Sequence, residues 1–177
     1  MIVTARLRLR PVTPADADDL YSLEQDPEVM RYLSGGRPTP RHPGPEDAKL
    51  YRMPRGLEPD VWAALGCEDG GFLGWFALSV DENGIGRLGY RLHRWAWGQG
   101  YGLEGAAALV DHGFRAMGLP AIHADTMTIN LGSRRIMEKL GMRHLRNYAE
   151  PSQEPIPGAE HGEVEHGFTA AEWLAKR

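Results

Sequence analysis

The chain has a single cysteine, Cys67, so neither an internal disulfide nor a Cys-x-x-Cys metal knuckle can form. Aromatic residues are only 8% of its 177 residues, with four phenylalanines. No apolar run approaches the ~20 residues a membrane-spanning helix needs; Ala106 to Val110 is among the longest. Basic charge is not in surplus: 20 Lys and Arg face 24 Asp and Glu, a net charge of −4. Bulk charge therefore gives no reason to expect nucleic acid as a partner. The start of the chain alternates arginine with leucine and offers no secretory hydrophobic segment. These features together lead to the expectation of a cytoplasmic protein with no membrane and no metal.

Glycine, by contrast, is abundant, with 22 residues beside 13 prolines, so the question is where the glycines fall. Leu7 and Leu9 alternate with Arg6, Arg8 and Arg10 as in a half-buried strand, with the arginines on the exposed face of an edge strand. Thr13-Pro14-Ala15-Asp16 carries the cap, proline and acid of a helix start, and Asp26-Pro27 opens a second short helix. Residues 35–45 hold four prolines and read as a mobile surface loop. Val61 to Cys67, Phe72 to Val80 and Ile85 to Leu92 form an antiparallel meander joined by two glycine-bearing turns. Cys67, mid-strand in this reading, is a small buried apolar residue, and Trp62 and Trp75 are core.

The period then changes. Leu103, Ala106, Ala107, Val110, Phe114 and Met117 follow helical spacing, and Gly118-Leu119-Pro120 ends that helix. Ala121 to Met127 reads as a strand, a helix opening at Asn130 ends at Gly141, and Met142 to Tyr148 and Val164 to Thr169 close the pattern as strands. The glutamates of segment 150–166 read mostly as a solvated loop, and the spacing of His161 and His166 fits no metal motif. Hairpins followed by strand–helix alternation make the fold α+β, a mixed and mostly antiparallel sheet flanked by helices in one domain spanning 1–177.

Between the third meander strand and the long helix stands Trp97-Gly98-Gln99-Gly100-Tyr101-Gly102-Leu103-Glu104-Gly105. Glycines at a helix start let the backbone approach a ligand, and the unpaired N–H groups there attract an anion such as a pyrophosphate. Gly100 to Gly105 also matches the GxGxxG dinucleotide pattern, with Asp125 near the place of a ribose-binding acid. His93 to Gln99 intervene before the first matching glycine, however, and hairpins replace the repeated βαβ units of such a fold.

Trp97 to Gly102 with Glu104 resembles the coenzyme A pyrophosphate loop of the GNAT acetyltransferase superfamily. Thr4 to Pro11, Asp26 to Met30, Leu88 to Leu92 and Asn130 to Met142 resemble further segments of its RimJ/RimL branch, in family order. The resemblance implies a GNAT fold with a central cofactor-binding strand–loop–helix. It further implies an enzyme that moves the acetyl group of acetyl-CoA directly to a primary amine, on a protein N-terminus or a small molecule. It places the diphosphate on the amides of Trp97, Gly98, Gln99, Gly100, Tyr101 and Gly102, and the pantetheine arm on Leu92, His93 and Arg94. Asn130 and Ser133 would then be the catalytic pair, Asn130 bonding the pantetheine and Ser133 polarising near the sulfur. The chain would work as a monomer or homodimer. The sequence departs from the family's pattern at Arg87, where many relatives carry an acid, and at Arg94, Leu103 and Gly105. The missing acid leaves the proton route open, and a catalytically weak acyl-CoA-binding module is the alternative reading.

Overall fold

The computed structural model describes residues 1–41, 56–149 and 155–175. Strands β1 (Ile2–Val3), β2 (Leu7–Pro11), β3 (Val61–Gly66), β4 (Phe72–Val80), β5 (Gly86–Leu92), β6 (Ala121–Met127), β7 (Arg143–Tyr148) and β8 (Glu163–Thr169) are joined in the order β1-β2-β3-β4-β5-β6-β8-β7. Helices are α1 (Ala17–Leu23), α2 (Pro27–Ser34), α3 (Tyr101–Arg115), α4 (Leu131–Leu140) and α5 (Ala170–Leu174). Pairing is antiparallel for β1–β2, β2–β3, β6–β8 and β7–β8, and parallel for β5–β6 through Gly86↔Ile122 and Arg87↔His123. The α+β class and the mixed sheet are as the sequence implies, and most element ends fall within a residue or two of their expected places.

The chain divides into two compact units. The first comprises Met1–Phe76 with Tyr90–Gly105 and the second Ala77–Gly89 with Ala106–Arg177. Leu7, Leu9, Leu20, Leu23, Met30 and Phe76 are the fully buried centre of the first unit. The strand leucines alternate inward and the helical ones recur at helical spacing, so one apolar stripe per element meets the others. A buried ion pair crosses this centre: Arg91 on β5 meets Glu24, just past α1, and its guanidinium lies over the Trp75 ring at 5.1 Å. Burial pulls the Arg91 guanidinium below its ordinary range while Glu24 opposes that pull. Glu24 also accepts the Thr39 hydroxyl at 2.8 Å. In the second unit Leu78, Leu109, Val110, Ile122 and Met137 form the corresponding centre. Both α3 and α4 end as expected, with Gly118 and Gly141 at φ 67° and 88°.

Several expectations change. β2 is not an edge strand, because β1 pairs with it through Ile2↔Leu9 and Val3↔Arg8. Its arginines are engaged rather than simply solvated: Arg10 grips Asp16 through two bonds of 2.8 and 2.6 Å, and Arg8 reaches the Gly66 carbonyl at 3.3 Å. Cys67 lies one residue beyond β3, half-buried, its N–H bonded to the Arg6 carbonyl. Thr13 to Asp16 first forms a short 3₁₀ turn, and α1 begins only at Ala17. Residues 35–41 are anchored by the buried Thr39, while the remainder of the 35–45 segment lies outside the described residues. Residues 150–154 lie outside them too; beyond these, Ala159–His161 make a 3₁₀ turn and Glu165 and His166 are buried in β8 rather than solvated.

Candidate active site

In the first unit β5 stops at Leu92 and the chain turns through a 3₁₀ helix, Arg94–Ala96, whose Ala96 is buried. The loop then ties back on itself. The Trp97 indole N–H donates to the Leu92 carbonyl at 2.8 Å, and the Gln99 amide to the Trp95 carbonyl at 2.6 Å. The His93 ring stacks on Trp95, and partial burial lowers its pKa, which favours a neutral imidazole. Trp95 and Trp97 are largely exposed, unlike the core residues Trp62 and Trp75. Gly98 and Gly100 sit at φ 71° and 87°, values that a side chain would strain. With α3 starting at Tyr101, the N–H groups of Tyr101, Gly102 and Leu103 belong to a first turn that has no intrahelical acceptors. The 15-residue helix adds its positive dipole end there.

A carboxylate in that first turn, Glu104, would repel an incoming anion, but it is turned back and neutralised. Its Oε1 accepts the Thr4 hydroxyl at 2.6 Å and the Arg6 backbone N–H at 2.8 Å, and its Oε2 accepts Arg6 Nε at 2.7 Å. Partial burial raises its pKa, but these bonds outweigh that and hold it below the usual range. Arg6 also donates to the Gln99 carbonyl at 2.9 Å and lies over the Tyr101 ring at 4.4 Å. One arginine from β2's approach thus holds the loop by three handles. The departure at Gly105 is also explained: a Cβ there would stand 2.2 Å from the buried Phe76 ring.

Asn130 and Ser133 come together in the second unit, at the start of α4. The Asn130 carbonyl oxygen caps the helix by accepting the Ser133 N–H at 3.2 Å, and its amide donates to Thr126 Oγ1 at 3.0 Å. The helix thus opens at Asn130, as expected. The loop residues Leu92 to Gly102 lie in the first unit.

A group that the sequence reading passed over occupies neighbouring strands of the second unit. Glu165 on β8 accepts Arg87 Nη1 at 2.6 Å, Arg146 Nε at 2.6 Å and faces His123 Nδ1 at 3.3 Å. Arg87 also donates to Asp125 at 3.0 Å. Burial pushes the Glu165 carboxyl up, but its three partners bring it down to about 2. The available signal was polar alternation within strands, His123 with Asp125 and Glu163 with Glu165. Asp125, read as a possible ribose ligand, is instead Arg87's partner. Among the described residues no three side chains of metal-binding type gather.

Asp16 is likewise held at about 2, first by the Arg10 hydrogen bond. A carboxylate whose folded pKa is depressed stabilises the fold above its unfolded pKa and loses that contribution as pH falls through the folded value. Stability from Asp16 and Glu165 should therefore disappear as pH falls from about 4.5 to about 2. Thermal melts across that window should show a steep acid limb, shallower in Asp16→Asn and Glu165→Gln. An unchanged limb in both variants would dismiss these two groups as its cause.

The sequence model of the Acetyltransferase (GNAT) domain family matches residues 6–143. A relative from Aspergillus fumigatus, FsC-acetyl coenzyme A-N(2)-transacetylase, is 33% identical over 97% of this chain and 77% of its own length. An acetyltransferase of the GNAT family from Bacillus anthracis has a similar structure, with a TM-score of 0.75, 21% identity and coverage of 96% of this chain and 98% of its own. The spermidine N-acetyltransferase of Vibrio cholerae, solved with CoA and spermine, gives a TM-score of 0.75 at 14% identity, covering 97% and 99% of the two chains. The chain belongs to the GNAT acetyltransferase family and is an acetyl-CoA-dependent N-acetyltransferase.

Proposed function

We propose that the acceptor is a primary amine on a small molecule, within a RimJ/RimL-like lineage, and that residues 1–177 act as one catalytic domain. The Aspergillus relative supports the small-molecule reading, since its name describes acetyl transfer to a nitrogen numbered N(2). The observation that carries the cofactor site is the α3 start, where bare N–H groups meet a carboxylate already neutralised by Arg6. In this reading the amides of Trp97 to Gly102 hold the diphosphate, and the main chain of Leu92, His93 and Arg94 holds the pantetheine arm. Bound acetyl-CoA supplies the activated acetyl group. Asn130, already fixed at both ends of its side-chain amide, orients the pantetheine without needing to be ordered on binding. Ser133 polarises the region of the sulfur; an ordinary hydroxyl is too weak an acid to do more.

The test is an acceptor screen with acetyl-CoA, following thiol release with spermidine, aminoglycosides, amino-acid esters and peptides with free N-termini. A small amine should reach kcat/KM on the order of 10⁴ M⁻¹s⁻¹ or above, and the peptides should lag at least tenfold behind. Preference for a peptide N-terminus would overturn the small-molecule assignment.

A further inference from the structure

We infer that Arg6 is a positioning residue of the cofactor site: by holding the Gln99 carbonyl, it fixes the Gln99–Gly100 peptide with its N–H toward the bound diphosphate. The inference rests on the assignment of the diphosphate to the loop amides given above. A trans peptide is planar, and its C=O and N–H point to opposite sides of the chain. No peptide bond among the described residues is cis. Arg6 Nη1 donates to the Gln99 carbonyl at 2.9 Å, so the Gly100 N–H is turned away from the guanidinium. That N–H finds no main-chain acceptor among the described residues. Gly98 and Gly100 have positive φ, 71° and 87°, whereas no described residue other than glycine does. Alternation of hand along a chain gathers successive N–H groups into one concavity, a shape that receives anions.

The same alternation makes the arrangement fragile. Turning the peptide over needs changes only at Gln99 ψ and Gly100 φ, and glycine accepts either sign of φ. The flipped peptide would present its carbonyl oxygen to the diphosphate in place of an N–H. One attraction would become one repulsion, with no other part of the loop altered. Arg6 opposes that flip, because the Gln99 carbonyl would have to leave a charged donor, the stronger kind of hydrogen bond.

Glu104 commits Arg6 to this role. Its Oε2 takes Arg6 Nε and Nη2, each at 2.7 Å, and the centre of the guanidinium lies 4.4 Å from the middle of the Tyr101 ring. The planar fork is thereby fixed on one edge by a carboxylate and on one face by an aromatic ring. The ion pair carries no net charge, so Arg6 acts on the diphosphate through the peptide it holds and not as a counter-ion. Arg6, Gln99, Gly100, Tyr101 and Glu104 all belong to the first unit.

The test reads CoA binding and the Gly100 amide together. In ¹⁵N-labelled wild-type protein, CoA should move the Gly100 N–H signal downfield, as a new bond to phosphate requires. In Arg6→Ala that shift should be lost at saturating CoA, and calorimetry should show affinity weakened about 10- to 100-fold. Arg6→Lys keeps the positive charge but not the planar fork, and it should lie closer to Arg6→Ala than to wild type. In Arg6→Ala combined with Glu104→Gln no carboxylate is left uncompensated, yet affinity should stay at least about tenfold below wild type. Recovery of wild-type affinity in that double variant would mean that Arg6 only neutralises Glu104, and the proposal would fall. A Gly100 shift that persists in Arg6→Ala would overturn it as well, by showing that the peptide keeps its orientation unaided. Melting curves establish that each variant is folded; should Arg6→Ala not fold, the shift and the affinity of Arg6→Lys decide. Amide signals from Trp97 to Gly102 that CoA leaves unmoved in wild type would instead refute the loop assignment, whatever Arg6 does.

Discussion

Valine in place of Gly100 is expected to weaken CoA binding at least 100-fold, measured by calorimetry. Gly100 is at φ 87°, a region in which a β-branched residue is strained by about 1–3 kcal/mol. The first atom added, its Cβ, would already stand 3.2 Å from Arg6 Nη2. Two further methyls have to displace that guanidinium, and with it the hydrogen bond that holds the Gln99 carbonyl. The amides that face the anion are then both misaimed and covered. A useful comparison is Gly84→Val, at φ 76° in a turn with nothing within 4 Å of a new Cβ. It carries comparable local strain and should leave CoA affinity close to wild type. A folded Gly100→Val protein that binds CoA normally would remove the loop from the cofactor site.

The largest effect on stability should come from Glu24→Ala. Removing this carboxylate strands the Arg91 guanidinium, whose side chain is 5% exposed and which, among the described residues, keeps the Trp75 ring face beside it. Breaking a buried pair from one side costs about 3–5 kcal/mol. For a chain of this size each kcal/mol moves the melting temperature by about 2–4 °C, so a fall of roughly 6–20 °C is expected. Thr39 loses its acceptor as well, which loosens the segment after α2. Replacing both partners, as Glu24→Leu with Arg91→Met, should recover most of the loss, because no buried charge is then left over. A Glu24→Ala protein within about 1 kcal/mol of wild type would show that the pair is not what holds α1 to β5.

What could be read from sequence was whatever depends on near neighbours. The strand periods, the proline and glycine stops, the glycine loop and the Asn130 cap each involve residues within a few positions of one another. Asn130 was legible because its cap spans three residues, to Ser133. Glu165 was not, since its partners come from β5, β6 and β7, and nothing local distinguishes it from the solvated glutamates nearby. The surroundings of His123 were invisible for the same reason, since its contact with Glu165 and its register with Gly167 both cross from β6 to β8. The arginines of β2 were misread because β1, only two residues long, is too short to carry a pattern. Arg87 shows both limits together. Its departure from the family pattern was plain, but its partners Asp125 and Glu165 are 38 and 78 residues away.

The grip of Arg6 on the loop also has a consequence for how the chain becomes competent. Arg6 and Glu104 are 98 residues apart, so their contact closes one of the longer loops in the first unit. Closing it costs entropy that local turns and hairpins do not have to meet. During synthesis the glycine segment emerges long after the first strand, and until the two meet, Glu104 has no counter-charge at the helix start. The nascent helix would then present a carboxylate where it must later receive an anion. Ligand competence is therefore a late event in folding, completed when the two ends of that interval come together.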